Sequence, residues 1–187
     1  MAQYILASQS PRRKQLLEWA EVDFEIVVHP TDESFPPHLT PAEAAVHIAV
    51  QKAAAVQSST ERGKTIIAAD TIVVLNNTII GKPQSRDEAV TTLLQLSGQT
   101  HTVITGVCIK REKKHLEFYD ATEVEFHPLT RDQVEFYVDK YQPYDKAGAY
   151  AIQEWIGVVG IKRINGDFYN VMGLPVSRVV QALENFA

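Results

Sequence analysis

The sequence has very little cysteine and no long apolar segment. Cys108 is the only cysteine among 187 residues, so no disulfide can form within the chain, which agrees with a reducing compartment. No apolar run approaches the ~18 residues that a membrane-spanning helix needs, and the stretch MAQYILASQSPRR lacks the charge order of a secretory signal. We therefore expect a cytoplasmic protein with no membrane partner.

The chain also lacks an excess of positive charge, since 18 Lys and Arg stand against 23 Asp and Glu and the formal net charge is −5. Proteins that hold nucleic acid non-specifically usually carry a basic face or an aromatic-basic platform, and neither is evident, so we expect no nucleic-acid partner. Hydrophobic residues make up 45% of the chain, enough for a substantial core. The length suits one sizeable domain, or two small lobes that share a core, and we predict a single domain over residues 1–187.

Strand and helix signals alternate at first and then give way to paired strands. Ser10 and Thr40 each precede a proline and predict helix N-termini. Residues 65–69 form a continuous apolar run, which is typical of a central strand. Residues 157–164 and 167–171 predict a late hairpin. Together these signals predict an α/β fold, with a mixed twisted sheet and helices on both faces.

Several familiar nucleotide-binding, catalytic and metal-binding motifs are absent or incomplete in the sequence. The fragment Arg62–Thr65 ends like a phosphate-binding P-loop, but Ser58 stands where the first glycine belongs, and the fragment precedes a strand instead of following one. Neither G-x-G-x-x-G nor G-x-S-x-G occurs, and the six histidines show no metal-ligand spacing.

Positive charge is concentrated in SQSPRRKQLL, residues 8 to 17. A helix N-terminus presents unpaired N–H groups, to which Ser8 and Ser10 add hydroxyls, and Arg12 and Arg13 add guanidinium forks that suit phosphate. This combination predicts an anion site, most simply for phosphate. A capped surface helix with solvated arginines explains the same residues about equally well.

Four further charged residues, at separate places in the sequence, could belong to the same site. Asp70, followed by Thr71, comes directly after the apolar run, where α/β proteins place their sites. Glu33 belongs to an acidic pair in a loop, Lys52 lies beside the apolar stripe of a helix, and Lys82 sits in a Gly-Lys-Pro turn. Each alone is also explained as a solvated or turn residue. Jointly they supply carboxylates for a divalent cation and cations for phosphates, as metal-assisted attack on a phosphoanhydride requires.

The motifs in order resemble one family over nearly the whole chain. They are SQSPRRKQLL, the Asp-Glu pair after the second strand, AADTIV, GKP, LSGQTHTVITGV, DKAGAYAIQ and GLP. This set is similar to that of the Maf family of nucleoside triphosphate pyrophosphatases. The resemblance implies an elongated two-lobed fold with a central cleft, similar to inosine triphosphate pyrophosphatases, and the reaction NTP + H₂O → NMP + PPi.

The resemblance also implies roles for individual residues. A divalent cation, Mg²⁺ or Mn²⁺, is expected as cofactor, a nucleoside triphosphate as ligand, and a homodimer as a family-level expectation. By motif position Asp70 is expected to be the catalytic carboxylate, as general base or metal ligand, and Glu33 a second acidic residue at the metal. The expected phosphate contacts are Arg13, Lys52 and Lys82, with help from Ser8, and the residues that bear on substrate choice are Arg12, Thr71 and Gln153.

DKAGAYAIQ resembles the dTTP/UTP branch of the family, as opposed to the branch that prefers 7-methyl-GTP. The carboxamide of Gln153 can accept from the N3–H of uracil or thymine and donate to the neighbouring carbonyl, and cytosine cannot satisfy both contacts. A buried amide left unpaired by the wrong base costs about 1–3 kcal/mol. One departure stands out, because Glu154 and Trp155 follow where we expect a glycine, either narrowing the base pocket or packing outside it.

A nucleotide-binding regulator without turnover is the main alternative from another class. The presence of the Asp70, Glu33, Lys52 and Lys82 set favours the enzyme, because a sensor does not need all four.

Overall fold

The computed structural model describes residues 3–60 and 62–186. Met1, Ala2, Glu61 and Ala187 lie outside the described residues, and with them the two ends of the predicted domain over residues 1–187, which stays a prediction. Within the described part, no helix is long and apolar enough to cross a membrane. The strands are β1 (Tyr4–Leu6), β2 (Phe24–Ile26), β3 (Thr65–Leu75), β4 (Thr78–Ile80), β5 (Thr100–Arg111), β6 (Lys114–Phe126) and β7 (Ile161–Asn165), and the helices are α1 (Pro11–Trp19), α2 (Pro41–Gln57), α3 (Arg86–Leu96), α4 (Arg131–Tyr141), α5 (Trp155–Gly160), α6 (Phe168–Met172) and α7 (Val176–Leu183).

The chain divides into two compact units, which we describe separately. The first unit holds the described residues as far as Thr71, Thr105–Asp120, and the described residues from Gly173 onward, whereas the second holds Ile72–Ile104 and Ala121–Met172. The strand order is β2-β1-β3-β5-β6-β7, with β4 paired on β3. Parallel and antiparallel neighbours both occur, which confirms the predicted mixed α/β fold.

In the first unit, β1 lies between two parallel neighbours. Leu6 pairs with Ile26 of β2 on one side and with Ile67 of β3 on the other. Parallel strands need crossover connections, which α1 and α2 supply. The connection through α1 runs from β1 to β2, and the connection through α2 runs back past β1 to β3. Because the strand order reverses its direction here, the carboxyl end of β1 is a topological switch point, where α/β proteins bind ligands.

The core of the first unit lies between the strands and α2. β5 approaches α2 so closely that a Cβ atom on Gly106 would lie 2.3 Å from the backbone of Ala45 and Val46, so only glycine fits there. The apolar contacts come from alternate strand positions and one face of the helix, as expected for a strand period of two and a helical period of 3.6. The cluster is Ile5, Ala7, Ala49, Ala53, Val56, Ile66, Ala68 and Cys108.

The second unit contains a hairpin and an aromatic cluster. Asn76 and Asn77 both have positive φ, at 49° and 61°, and join β3 to β4 in a tight turn. The helices α3 and α4 pack against each other. His101, Phe126 and Tyr150 form an edge-to-face cluster with ring centroids 5.1 to 5.4 Å apart.

The predicted late hairpin is wrong. Residues 155–160 form α5 instead of a strand, and residues 168–172 form α6. β7 pairs with the distant strand β6, so the Asn165-Gly166 pair between the two predicted strands follows the end of β7 and does not close a hairpin. The Asp167 carboxylate accepts from the Tyr169 N–H at 2.8 Å and so starts a helical turn. A short apolar run does not distinguish a strand from a buried helix, and here the distant pairing decides.

Asp70 does not stand at a strand end, which corrects the sequence interpretation. β3 continues through Asp70 and Thr71 to Leu75. Both polar residues are half-buried inside the strand because side chains from other elements bind them. Burying a polar side chain is costly unless it is hydrogen-bonded, and the bonds from Lys52 and Arg13 allow the strand to continue through Asp70 and Thr71.

Candidate functional site

The site begins at the carboxyl end of β1. Ser8 is buried, and its hydroxyl accepts from the Ser10 N–H at 3.2 Å. Ser10 has extended backbone angles and caps α1 by accepting from the Arg13 N–H at 3.4 Å, with Pro11 at the first helical position. The predicted cap is therefore confirmed, and it fixes the direction in which the first turn of α1 presents its arginines.

Arg13 is held by three neutral groups of the first unit. Its Nε donates to the Gly173 carbonyl at 2.8 Å, Nη1 donates to the Ser8 hydroxyl at 3.1 Å, and Nη2 donates to the Thr71 hydroxyl at 2.9 Å. The Thr71 hydroxyl also shares a 3.0 Å hydrogen bond with Thr105. One bond on each nitrogen leaves the guanidinium little freedom to rotate.

The charge of Arg13 is buried. Only 8% of the residue is exposed, and desolvation lowers the pKa of Arg13 from its ordinary value. The charge of Asp70 raises the same pKa and that of Arg12 lowers it, so both residues act on this guanidinium. Among the described residues, the hydrogen-bond partners of Arg13 are neutral groups. Such a buried cation attracts an anion, because a charge out of water is costly unless it is compensated.

An ion cluster of Lys52, Asp70 and Glu33 lies in the same unit. The Lys52 ammonium donates to the Asp70 carboxylate at 2.6 Å and contacts the Glu33 carboxylate at 2.8 Å. The side chains of Lys52 and Asp70 are only 16% and 13% exposed, whereas that of Glu33 is 49% exposed. Two carboxylates thus face one cation, at an edge that water reaches through Glu33.

Successive positions of β3 send their side chains to opposite faces of the sheet. Asp70 continues the row of Ile66 and Ala68, which packs on α2, and this places it against Lys52. Thr71 points the other way and meets Arg13 of α1. The adjacent residues Asp70 and Thr71 therefore connect the ion cluster on one face of the sheet with the Arg13 contacts on the other.

The neighbour of Glu33 does not join the cluster. The Asp32 carboxylate accepts from the Ser34 hydroxyl at 2.8 Å and from its N–H at 2.9 Å, and these bonds lower the pKa of Asp32. Of the predicted acidic pair, only Glu33 contacts Lys52.

Lys82 and Gln153 belong to the second unit. Lys82 is exposed in the loop after β4, where the Gly81 carbonyl accepts from the Gly148 N–H at 3.2 Å. Gln153 is exposed in the turn just before α5. Of the nine predicted site residues, the first unit brings together the other seven: Ser8, Arg12, Arg13, Glu33, Lys52, Asp70 and Thr71.

The sequence did not single out three polar groups that the structure shows to be buried or bonded to predicted site residues. The Gly173 carbonyl and the buried Thr105 hydroxyl complete the surroundings of Arg13, and Lys146 is a nearly buried cation of the second unit. All three lie in stretches quoted for the family resemblance, ITGV, GLP and DKAGAY, so the motifs were the available signal.

The carboxylates of the ion cluster fit a divalent cation with substrate phosphates. Mg²⁺ usually takes one or two protein carboxylates and completes its coordination with phosphates and water. Asp70 and Glu33 lie within 2.8 Å of one ammonium, so their oxygens converge on one cationic position. The described residues contain no cluster of three or more His, Cys, Asp or Glu able to hold a metal alone.

Comparisons with known proteins identify the family of this chain. The chain is 47% identical over 183 residues to a dTTP/UTP pyrophosphatase of Bacteroides thetaiotaomicron, covering 97% of this chain and 95% of the relative. It is 50% identical over 180 residues to a dTTP/UTP pyrophosphatase of Cytophaga hutchinsonii, covering 96% and 82%. The Staphylococcus aureus Ham1 protein shares the fold, with a TM-score of 0.55 over 97% of both chains at 15% identity. The family described as Maf-like protein matches residues 3–186, and this chain belongs to it.

Proposed function

We propose that this protein hydrolyses dTTP and UTP to the nucleoside monophosphate and pyrophosphate by metal-assisted attack of water. The observation that carries the proposal is the ion cluster, in which the Lys52 ammonium lies between the carboxylates of Asp70 and Glu33. Phosphoanhydride hydrolysis uses these parts, a carboxylate for water or metal and cations for phosphates. The relatives at 47% and 50% identity are named for this activity.

The reaction centre would be the ion cluster. A divalent cation, Mg²⁺ or Mn²⁺, held by Asp70 and Glu33 would neutralise charge that develops on the phosphate oxygens. Asp70 acts as general base or metal ligand, and its burial beside Lys52 holds the carboxylate in one orientation. Lys52 contacts the phosphates with the ammonium that now faces the two carboxylates.

Arg13 is the main phosphate contact away from the ion cluster. A guanidinium has five N–H donors, and Arg13 uses three, which leaves one on each terminal nitrogen. Ser8 helps by fixing Nη1. Lys82 is proposed as a further phosphate contact on the ground of its motif position alone. Electrostatic preorganisation of this kind stabilises a transition state without reorientation during the reaction.

Substrate choice rests on Arg12, Thr71 and Gln153. The Thr71 hydroxyl accepts a hydrogen bond from Arg13 Nη2, so Thr71 acts through Arg13. The Gln153 carboxamide pairs with the N3–H and the adjacent carbonyl of uracil or thymine. Cytosine lacks this donor–acceptor pair, so we expect slower hydrolysis of CTP.

The test is pyrophosphate release with Mg²⁺ or Mn²⁺ from dTTP, UTP, CTP, dATP, GTP and 7-methyl-GTP. We expect preferential release from dTTP and UTP, and a loss of about 10²-fold or more in turnover for Asp70→Asn. Asp23→Asn, at an exposed aspartate of the first unit, is the matched control and should keep full turnover. Full activity of Asp70→Asn would refute its role, preference for 7-methyl-GTP would refute the branch, and binding without release would favour the regulator.

Two further expectations belong to this proposal. A homodimer is checked by sedimentation equilibrium of the purified protein, and a cytoplasmic location by fractionation of cells that express it. A monomer at all concentrations, or recovery outside the cytoplasmic fraction, would refute the respective expectation.

A further inference from the structure

We propose that Glu154 is a positioning residue that holds Gln153 in place through Tyr137 and Lys146, and thereby sharpens discrimination between pyrimidine bases. This inference rests on the proposed function, since it takes Gln153 as the residue that reads the base. Glu154 is the acidic residue that stands where the family resemblance leads us to expect glycine.

The Glu154 side chain turns inward instead of forming an acidic rim. Glu154 occupies the N-cap position of α5, yet its carboxylate makes no capping bond to that helix. It accepts a short hydrogen bond from the Tyr137 hydroxyl instead. The side chain is 23% exposed, and Tyr137 is fully buried on α4. The carboxylate therefore connects the turn before α5 to a rigid side chain of the unit's interior.

One hydroxyl binds both flanks of the Gln153 turn. The Tyr137 oxygen also accepts from the Ala151 N–H at 3.1 Å, while it donates to Glu154. We call these two bonds the Tyr137 anchor. Ala151 precedes Ile152 and Gln153, and Glu154 follows them, so the anchor fixes the chain on both sides of the carboxamide. The Glu154 N–H donates to the Ala151 carbonyl at 3.1 Å and closes the same turn.

Lys146 supplies the charge that keeps the Glu154 carboxylate in this position. Lys146 is only 8% exposed, and its ammonium lies 2.7 Å from the Asp145 carboxylate and 3.7 Å from that of Glu154. Opposite charges interact more strongly where water is excluded. Lys146 is the second residue of the DKAGAYAIQ segment, and Glu154 directly follows its last residue, Gln153. The pair of Lys146 and Glu154 therefore links the two ends of that segment.

Close packing against α5 also restricts the turn that carries Gln153. A Cβ atom on Gly157 would lie 1.7 Å from the Ile152 carbonyl oxygen, so the first turn of α5 rests directly on the turn that carries Gln153. With the Tyr137 anchor, this contact leaves the exposed carboxamide on a backbone of fixed position. Base recognition needs such a support, because a displacement of about 1 Å in a site can cost about 10²-fold in rate.

Tyr137→Phe is the decisive variant, because it removes one oxygen and keeps the ring. We expect kcat/KM for UTP to fall about tenfold, mainly through KM, while that for CTP changes less than about twofold, so that the UTP-to-CTP ratio falls with it. Glu154→Gly should act in the same direction. Glu154→Gln keeps an acceptor for the hydroxyl and should retain most of the ratio.

Tyr141→Phe is the matched control. Tyr141 lies on the same helix and stacks on Tyr137 at 5.0 Å between ring centroids, but the described residues give its hydroxyl no hydrogen-bond partner. The same change there should leave the ratio within about twofold of wild type. Thermal unfolding of each variant shows whether it is folded.

Amide hydrogen exchange tests the anchor independently of turnover. The Ala151 amide should exchange at least about tenfold faster in Tyr137→Phe than in wild type, and unchanged exchange would overturn the anchor. Wild-type discrimination of UTP from CTP that persists in folded Tyr137→Phe and Glu154→Gly would overturn the inference alone. A wild-type protein that releases no pyrophosphate would overturn the proposed function, and the specificity role with it.

Discussion

His101 makes the stability of this protein depend on pH in a defined window. Only 1% of the residue is exposed, and Nε2 shares a 2.7 Å hydrogen bond with the Tyr150 hydroxyl. Among the described residues, Nδ1 has no hydrogen-bond partner. Burial lowers the pKa of His101 from 6.5 to about 4, and the pKa of Tyr150 is raised by burial, so that phenol stays protonated.

The sign and size of the effect follow from proton linkage. Between pH 6.5 and about 4 the unfolded chain binds more protons at His101 than the native protein does, so the free energy of unfolding falls as the pH falls. The difference between 6.5 and about 4, at 1.36 kcal/mol per pH unit, amounts to about 3 kcal/mol when complete. About 2 kcal/mol of it should be lost between pH 7 and pH 5.

Urea unfolding at pH 7 and pH 5, followed by circular dichroism, measures this contribution. We compare wild type with His101→Gln, which has no imidazole to protonate, and with His38→Gln at an exposed histidine. Wild type and His38→Gln should lose about 2 kcal/mol more than His101→Gln between the two pH values. Equal losses in all three proteins would refute the assignment of a buried neutral imidazole.

Three other predictions concern packing, reactivity and the site. Gly106→Ala places a methyl group against the backbone of α2 and should lower the free energy of unfolding by about 3 kcal/mol, whereas Gly81→Ala, in open space, should not; equal urea midpoints would contradict this. Burial raises the pKa of Cys108 to about 12, so the native thiol should resist Ellman's reagent at pH 8, and rapid reaction before unfolding would contradict its burial. Arg13→Lys keeps the charge but lacks the planar fork whose three nitrogens each bind a different partner, and should raise KM for UTP about tenfold or more, so an unchanged KM would exclude Arg13 as a phosphate contact.

Local signals predicted the helix starts well. Ser10 and Thr40 cap α1 and α2 as predicted, and Thr40 also forms a capping box with Glu43. Capping depends on residues three positions apart, so it is encoded in a few neighbouring letters. The prediction for residues 157–171 was wrong for the opposite reason, because β7 pairs with a strand far away in the sequence. Val124 and Ile164, for example, are paired although they lie 40 positions apart.

The sequence predicted which residues belong to the candidate site better than it predicted how they contact one another. Residue types and motif positions selected Lys52, Asp70 and Glu33, but their contacts depend on which strand lies beside which helix. Lys52 and Asp70 are 18 positions apart, and Arg13 and Gly173 are 160 apart. A backbone carbonyl such as that of Gly173 carries no side-chain signal at all. The roles of Lys82 and Gln153 stay predictions.

The boundaries between the two units cut through β3, β5 and β6 in mid-strand. The polypeptide passes from one unit to the other at four peptide bonds: after Thr71, after Ile104, after Asp120 and after Met172. No single truncation of the gene therefore yields either unit as an uninterrupted product. Neither unit corresponds to one continuous segment of the chain, so a single recombination event at either end of a segment would not transfer a complete unit.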